Sequence, residues 1–216
     1  MPALLFDLDG TMLNTDPLHA AVFAELFAEH GCEIDEAFYF ERIHGRLNRD
    51  IFAEFFPGEN AEAMADDKEA RARARLSPDL VMPGFAALVD RAEAENWPMA
   101  VVTNAPRANA DAMMTVAGVA GRIGTLVLGD ECEAGKPDPA PYREAMRRLG
   151  VMPDSAIAFE DSPSGVRSAH GAGARVIGLR SSLTDAALRQ AGAHATISDF
   201  TDPARTGLLD LQEGRQ

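Results

Sequence analysis

Six short apolar runs punctuate the chain, at residues 3–6, 99–102, 125–128, 156–159, 176–179 and 195–197. Each has strand length, and several are near-continuous in apolar character instead of alternating, which suits a sheet covered on both faces. Helical periodicity fills the later intervals, at 85–95, 107–117, 140–149, 165–172 and 184–191. Strand, helix, strand in repetition predicts a parallel α/β sheet.

The interval 15–82 breaks that rhythm, because it reads as helices with no strand between the first and second apolar runs. "DPLHAAVFAELFAEHG" carries Pro17 early and Gly31 after its end, and "NRDIFAEFF" and "ENAEAMADDKEARARARL" are further helical patterns. The pattern predicts a helical cap over residues 15–82 inserted into a core formed by 1–14 and 83–216, with Pro83-Gly84 as the returning turn. There is no internal repeat and no low-complexity tract.

The first apolar run stops on two carboxylates, "LLFDLDGTML", with Asp7 and Asp9 one residue apart. In an open parallel sheet, ligands bind beyond the carboxyl ends of the strands. If the chain stays extended, period two places Asp7 and Asp9 on one side, and Gly10 allows a sharp turn close to a ligand. Two adjacent carboxylates repel, so the pair calls for a cation or a shifted proton. Read alone, D-x-D-G is better explained by an acidic turn capping the next segment. A calcium loop does not fit, because aligning Gly10 with that loop's glycine puts Leu5 where its first aspartate belongs.

Other strand ends add chemistry. Thr103-Asn104 follows the second run, just before a helix. "GKPDP" places Lys136 in a Pro-bounded loop, and composition gives that residue weight: of the 20 basic residues only Lys68 and Lys136 are lysine. The fourth run ends in Glu160-Asp161 followed by "SPSG", where Ser162 or Ser164 suffices as a helix cap, so the carboxylates need another purpose. Hard oxygen ligands from two strand ends suit Mg²⁺.

Charge and cysteine content narrow the function classes. A formal net charge of −14 over 216 residues disfavours nucleic acid and anionic membranes as partners. Two cysteines without a C-x-x-C pair indicate neither a disulfide framework nor a thiolate zinc site. With no basic leader and no apolar stretch near the roughly 20 residues that cross a bilayer, the reading is a soluble, cytoplasmic protein, with a monomer as the default state. No G-x-x-x-x-G-K-[ST] loop occurs, and "GAGARV" lacks the third glycine of a dinucleotide loop, so neither ATP nor NAD is inferred.

Taken together, Asp7-Leu8-Asp9-Gly10-Thr11, Thr103-Asn104, Lys136-Pro137 and Glu160-Asp161 resemble, in order and at these strand ends, the four motifs of the haloacid dehalogenase-like hydrolase superfamily. The resemblance spans the chain from Ala3 to about Ile197 and implies a Rossmann-like α/β core with a helical cap. It implies that Asp7 is a nucleophile forming an aspartyl-phosphate, and that Asp9 is the general acid and base. Mg²⁺ would be held by Asp7, the Asp9 carbonyl and Asp161, with Glu160 a direct ligand or a partner through water. Thr103, Asn104 and Lys136 would bind the phosphoryl oxygens. An acid/base aspartate at position 9 favours phosphate esters over carbon–halogen bonds.

The insertion resembles the cap of the subgroup that includes phosphoglycolate phosphatases, sugar-phosphate phosphatases and β-phosphoglucomutases. His19, Arg46, Arg49 and Lys68 are its candidate substrate contacts, although each also reads as an ordinary packed or solvated side chain. The expected function is a Mg²⁺-dependent phosphatase of a small phosphorylated metabolite, a sugar phosphate or phosphoglycolate-like acid. A phosphomutase is the alternative, kept open by His19 and Lys68, and a non-catalytic binding protein is the third reading.

Overall fold

The fold is described from a computed structural model, which covers residues 1–44, 46–204, 207 and 209. The chain divides into two compact units: Met1–Asn14 with the chain from Ser77 onward, and Thr15–Leu76.

The first unit is built on a parallel sheet of six strands among the described residues: β1 (Ala3–Phe6), β2 (Met99–Thr103), β3 (Thr125–Leu128), β4 (Ala156–Glu160), β5 (Arg175–Leu179) and β6 (Ala195–Ile197). Their order is β3-β2-β1-β4-β5-β6, and every pair is parallel. The expected runs are all strands, with β2 and β4 each reaching one residue further, to Thr103 and Glu160. The order reverses between β1 and β4, the switch point at which such sheets open a crevice. Phe6 is in register with Val101 on one side and Phe159 on the other, so the ends of these three strands lie level.

Helices cover both faces because all residues of β1, β2 and β4 are buried. Residues alternating along the strands, Leu5, Ala100, Val102, Ala156, Ala158 and Val176, form one core, closed by α7 (Ala140–Leu149) and α8 (Pro163–Gly171) with Leu188 of α9 (Asp185–Ala191). On the opposite side Phe6 stacks on Phe159 at 5.3 Å and meets Phe85 edge-on at 5.3 Å and Phe200 at 6.2 Å. Phe85 opens α5 (Phe85–Ala94), and α6 (Arg107–Val116) follows β2. Residues 12–14 and 80–82 pair by hydrogen bonds from Met82 N–H to Met12 O, 2.9 Å, and from Asn14 N–H to Leu80 O, 2.8 Å. The first unit thus resumes at Ser77, ahead of the Pro83-Gly84 turn.

The second unit is helical: α1 (Asp16–Glu29), α2 (Glu36–Phe38) running into a π-helical turn (Tyr39–Ile43), α3 (Asn48–Phe55) and α4 (Ala61–Ala74). Its own core gathers Val22, Phe23, Leu26, Phe27, Tyr39, Ile51 and Phe52. The Glu36–Ile43 segment is helical although its sequence carries no clear helical signal. Asp35 caps it by accepting the Phe38 N–H at 2.8 Å. Among the described residues no helix is long and apolar enough to cross a membrane.

Phe6 has aromatic partners from three other segments, so Phe6→Ala leaves a cavity that the sheet cannot close. A loss of about 3–5 kcal/mol is expected from urea denaturation.

Candidate active site

Asp7 continues the ladder of β1 one residue beyond the strand, its N–H donating to the Phe159 carbonyl at 3.1 Å. Period two carries the side chain from the face of Leu5 to Asp7, and from that of Ala158 to Glu160, so both carboxylates leave the sheet on the side covered by α7 and α8. The chain then wraps round the Leu8 carbonyl, which accepts N–H groups of Thr11, Met12 and Leu13 at 3.3, 2.9 and 3.2 Å. Gly10 makes this turn with φ +70°, and a Cβ there would stand 2.0 Å from Asp161 Oδ2. Only a glycine lets Asp161 come this near. Thr11 Oγ1 donates to Asp161 Oδ1 at 3.4 Å.

After β4, Ser162 caps α8 by accepting the Gly165 N–H at 3.1 Å. Gly165 is also a spacing residue, since a Cβ on it would lie 2.0 Å from the Glu160 carboxyl group. From β2, Thr103 Oγ1 accepts the Ala105 N–H at 2.9 Å and shapes the turn. The helix that follows begins only at Arg107, with Pro106 at its N-cap, so Thr103 is a turn cap and not a helix cap.

The Asn104 amide clamps the backbone of Lys136, accepting its N–H and donating to its carbonyl, both at 3.0 Å. The clamp delivers the Lys136 side chain to the strand ends. Its ammonium, in a side chain 4% exposed, donates to Asp7 Oδ1 at 2.6 Å, Glu160 Oε1 at 2.5 Å and the Val102 carbonyl at 2.8 Å. Glu160 is fully buried and its Oε1 also accepts the Tyr142 hydroxyl at 2.7 Å.

Carboxylate oxygens of Asp7, Glu160 and Asp161 all lie within 4.8 Å of one another. Asp9, half-buried two residues past Asp7, adds a further negative charge that acts on Asp7. The imbalance shows in Asp7: burial pushes its carboxyl up to about 8, Lys136 pulls it down without overcoming that, and Glu160 and Asp9 add to the rise. Burial opposes the charge on Lys136, but Asp7 and Glu160 outweigh it and hold the ammonium above its ordinary range. Hard oxygen donors with unbalanced negative charge suit a small divalent cation such as Mg²⁺. Glu160 has its Oε1 spent on Lys136 and Tyr142, and its Oε2 faces Ser162 Oγ at 3.4 Å. Asp7, Glu160 and Asp161 are the side chains that could hold such an ion.

The cap candidates lie in the second unit. Lys68 is buried, its ammonium 2.8 Å from Glu69 Oε1 and 5.4 Å from the Phe23 ring centroid. Arg46 donates to Glu54 Oε2 at 2.6 Å and to the Arg42 carbonyl at 2.8 Å. Arg49 is exposed beside Asp50 at 3.6 Å, and His19 is half-buried on α1. Sequence reading missed Tyr142 and the Val102 carbonyl, and named Thr11 within the first motif without its bond to Asp161. Tyr142 lies on the buried face of α7, where an aromatic residue reads as core.

The site's surroundings match known proteins along most of the chain. The family described as haloacid dehalogenase-like hydrolase matches residues 4–179. A validoxylamine A 7'-phosphate phosphatase of Streptomyces hygroscopicus subsp. limoneus is 32% identical over 202 residues, 92% of this chain and 93% of that one. A phosphoglycolate phosphatase of Rhodospirillum rubrum is 33% identical over 212 residues, 92% of this chain and 87% of that one. The crystal structure of a HAD hydrolase, family IA, variant 3, from Entamoeba histolytica superposes with a TM-score of 0.86 at 28% identity, covering 98% of this chain and 99% of that one.

The direction of the Asp7 shift fixes a pH dependence. A carboxyl raised from 3.8 to about 8 holds its proton more tightly in the folded state, so its contribution to stability is full below about pH 4 and is lost as pH rises through about 8. In EDTA, the stability of the wild type relative to Asp7→Asn should fall between pH 5 and about 8.5, as read from urea midpoints, and Mg²⁺ should restore it at the upper end. A difference that stays flat or grows with pH contradicts the assignment.

Proposed function

The chain belongs to the haloacid dehalogenase-like hydrolase family, and from that premise we propose that it hydrolyses a small phosphorylated metabolite with Mg²⁺, through an aspartyl-phosphate on Asp7. The enzyme class, a phosphoric monoester hydrolase, follows from the family and from relatives that are themselves phosphatases. The observation that supports the mechanism best is the convergence of Asp7, Glu160 and Asp161 with Lys136, whose ammonium touches two of those carboxylates.

Each residue has a defined task in this reading. An Asp7 carboxylate oxygen attacks phosphorus as the P–O bond to the leaving group breaks, and Asp9 gives its proton to the departing alkoxide. Asp9 then takes a proton from water, whose oxygen attacks phosphorus, breaking the Asp7–phosphorus bond and releasing phosphate. Lys136, Thr103 and the backbone at Asn104 bind the phosphoryl oxygens, and loss of such a stabiliser costs on the order of 3 kcal/mol in the barrier. All three N–H groups of Lys136 already have acceptors, so one must turn to the substrate. Asp7 is the partner to give up, because it is then occupied with phosphorus.

Asp7, the Asp9 carbonyl and Asp161 would hold Mg²⁺, with Glu160 behind them. When bound it would neutralise charge between Asp7 and the phosphoryl group.

The relatives' names support a sugar phosphate or phosphoglycolate-like substrate, and His19, Arg46, Arg49 and Lys68 are proposed as the side chains that choose it. A monomer in the cytoplasm completes the reading, and both cysteines, Cys32 and Cys132, are free thiols.

Two measurements test this. Turnover of p-nitrophenyl phosphate should require Mg²⁺ and fall at least on the order of a thousandfold in Asp7→Asn. Equal rates for the two proteins remove Asp7 as nucleophile, and no turnover by either leaves a binding protein. With β-glucose 1-phosphate and a trace of glucose 1,6-bisphosphate, the expected product is inorganic phosphate, and glucose 6-phosphate instead identifies a mutase.

A further inference from the structure

We infer that Tyr142 is a positioning residue of this site: its hydroxyl fixes the Glu160 carboxylate, and through Glu160 it holds the Lys136 ammonium ready for the phosphoryl oxygens. The inference rests on the phosphatase reading above.

Lys136 must keep its place while one N–H turns from Asp7 to the substrate. Its remaining anchors are the Val102 carbonyl and Glu160 Oε1. Val102 is fixed by the sheet, in register with Val127 of β3. Glu160 is the last residue of β4, and its carboxylate can rotate unless side chains hold it. Its contacts are unequal: the Tyr142 hydroxyl reaches Oε1 at 2.7 Å, whereas Ser162 Oγ stands 3.4 Å from Oε2.

Tyr142 therefore supplies the short bond that orients the carboxylate, and Gly165 leaves just enough room beside it. Tyr142 is itself fully buried on α7, where its ring packs in the core with Leu5, Val102 and Ala158. The same ring lies under the ammonium, 5.2 Å from Nζ to the centroid. One side chain thus serves both members of the Lys136–Glu160 pair, by its hydroxyl and by its face. Tyr142 meets the network at Glu160 and at Lys136, and acts on the reaction only through these two groups.

Tyr142→Phe removes the hydroxyl and keeps the ring, so folding and the cation–π contact survive. With p-nitrophenyl phosphate, kcat should fall on the order of tenfold, the usual scale for losing a partner that orients an active-site group. KM and the Mg²⁺ concentration for half-activation should stay within about twofold. Because Tyr142 acts through Glu160, the double variant Tyr142→Phe/Glu160→Gln should be no slower than Glu160→Gln alone. An unchanged kcat in Tyr142→Phe, or losses that multiply in the double variant, overturns the inference.

A second readout needs no turnover. The chain has only two lysines, so ¹⁵N-lysine labelling gives two side-chain signals, and Tyr142→Phe should shift or broaden that of Lys136 and leave that of Lys68 in place. A Lys136 signal identical to the wild type overturns the inference. If the wild type fails to turn over p-nitrophenyl phosphate, the phosphatase reading falls, while this spectrum still decides the role of Tyr142.

Discussion

The ammonium of Lys136 is the constraint around which the first unit is organised. It joins Asp7 after β1, the Val102 carbonyl of β2 and Glu160 of β4 in one set of three hydrogen bonds. Three neighbouring strands therefore end on a shared charge. Breaking a buried network of this kind by deleting one member commonly costs about 3–5 kcal/mol, because the remaining charge has neither water nor partner. The same arrangement cannot be electrically complete, since the ammonium is shared by the carboxyl groups of Asp7 and Glu160, with that of Asp161 close beside them. A proton on Asp7 or a divalent cation has to make up the difference, and the two compete for the same oxygen atoms.

Glycines set the distances within this network. At Gly10 and Gly165 an added methyl group would fall 2.0 Å from atoms of Asp161 and Glu160 respectively. At Gly129 and Gly135 it would fall 2.1 and 2.9 Å from the Asn104 oxygen that holds the Lys136 backbone. The carboxylates and the amide are pressed against bare main chain. Their positions are thus defined by missing side chains as much as by bonds, and the fold gains a rigid site without adding polar partners.

The sheet was legible in the sequence because strands buried on both faces leave unbroken apolar runs, and β1, β2 and β4 are buried at every position. The acidic and basic candidates were legible because charges are out of place at the ends of such runs. Less was legible where local chemistry is ambiguous. The Glu36–Ile43 helix mixes aromatic and charged residues over too short a span for a clear period. The bond from Lys136 to Glu160 needed coordinates, because a carboxylate that meets a lysine and one that meets a metal are spelled alike. Tyr142 was invisible for the opposite reason: a residue that is wholly core by pattern carries one polar atom, and sequence does not say where that atom points.

The scarcity of lysine has a consequence for the protein's exterior. Both lysine side chains are withdrawn from solvent, Lys68 at 5% exposure and Lys136 at 4%. The outward-facing cations are guanidinium groups, many locked to carboxylates, as Arg71 is to Glu29 and Arg122 to Glu93. Acylating or carbamylating reagents, and coupling to aldehyde or succinimidyl supports, accordingly meet a coat without side-chain amines. The side chains at the surface are thus poor targets for such modification, and both ε-amines are sheltered inside.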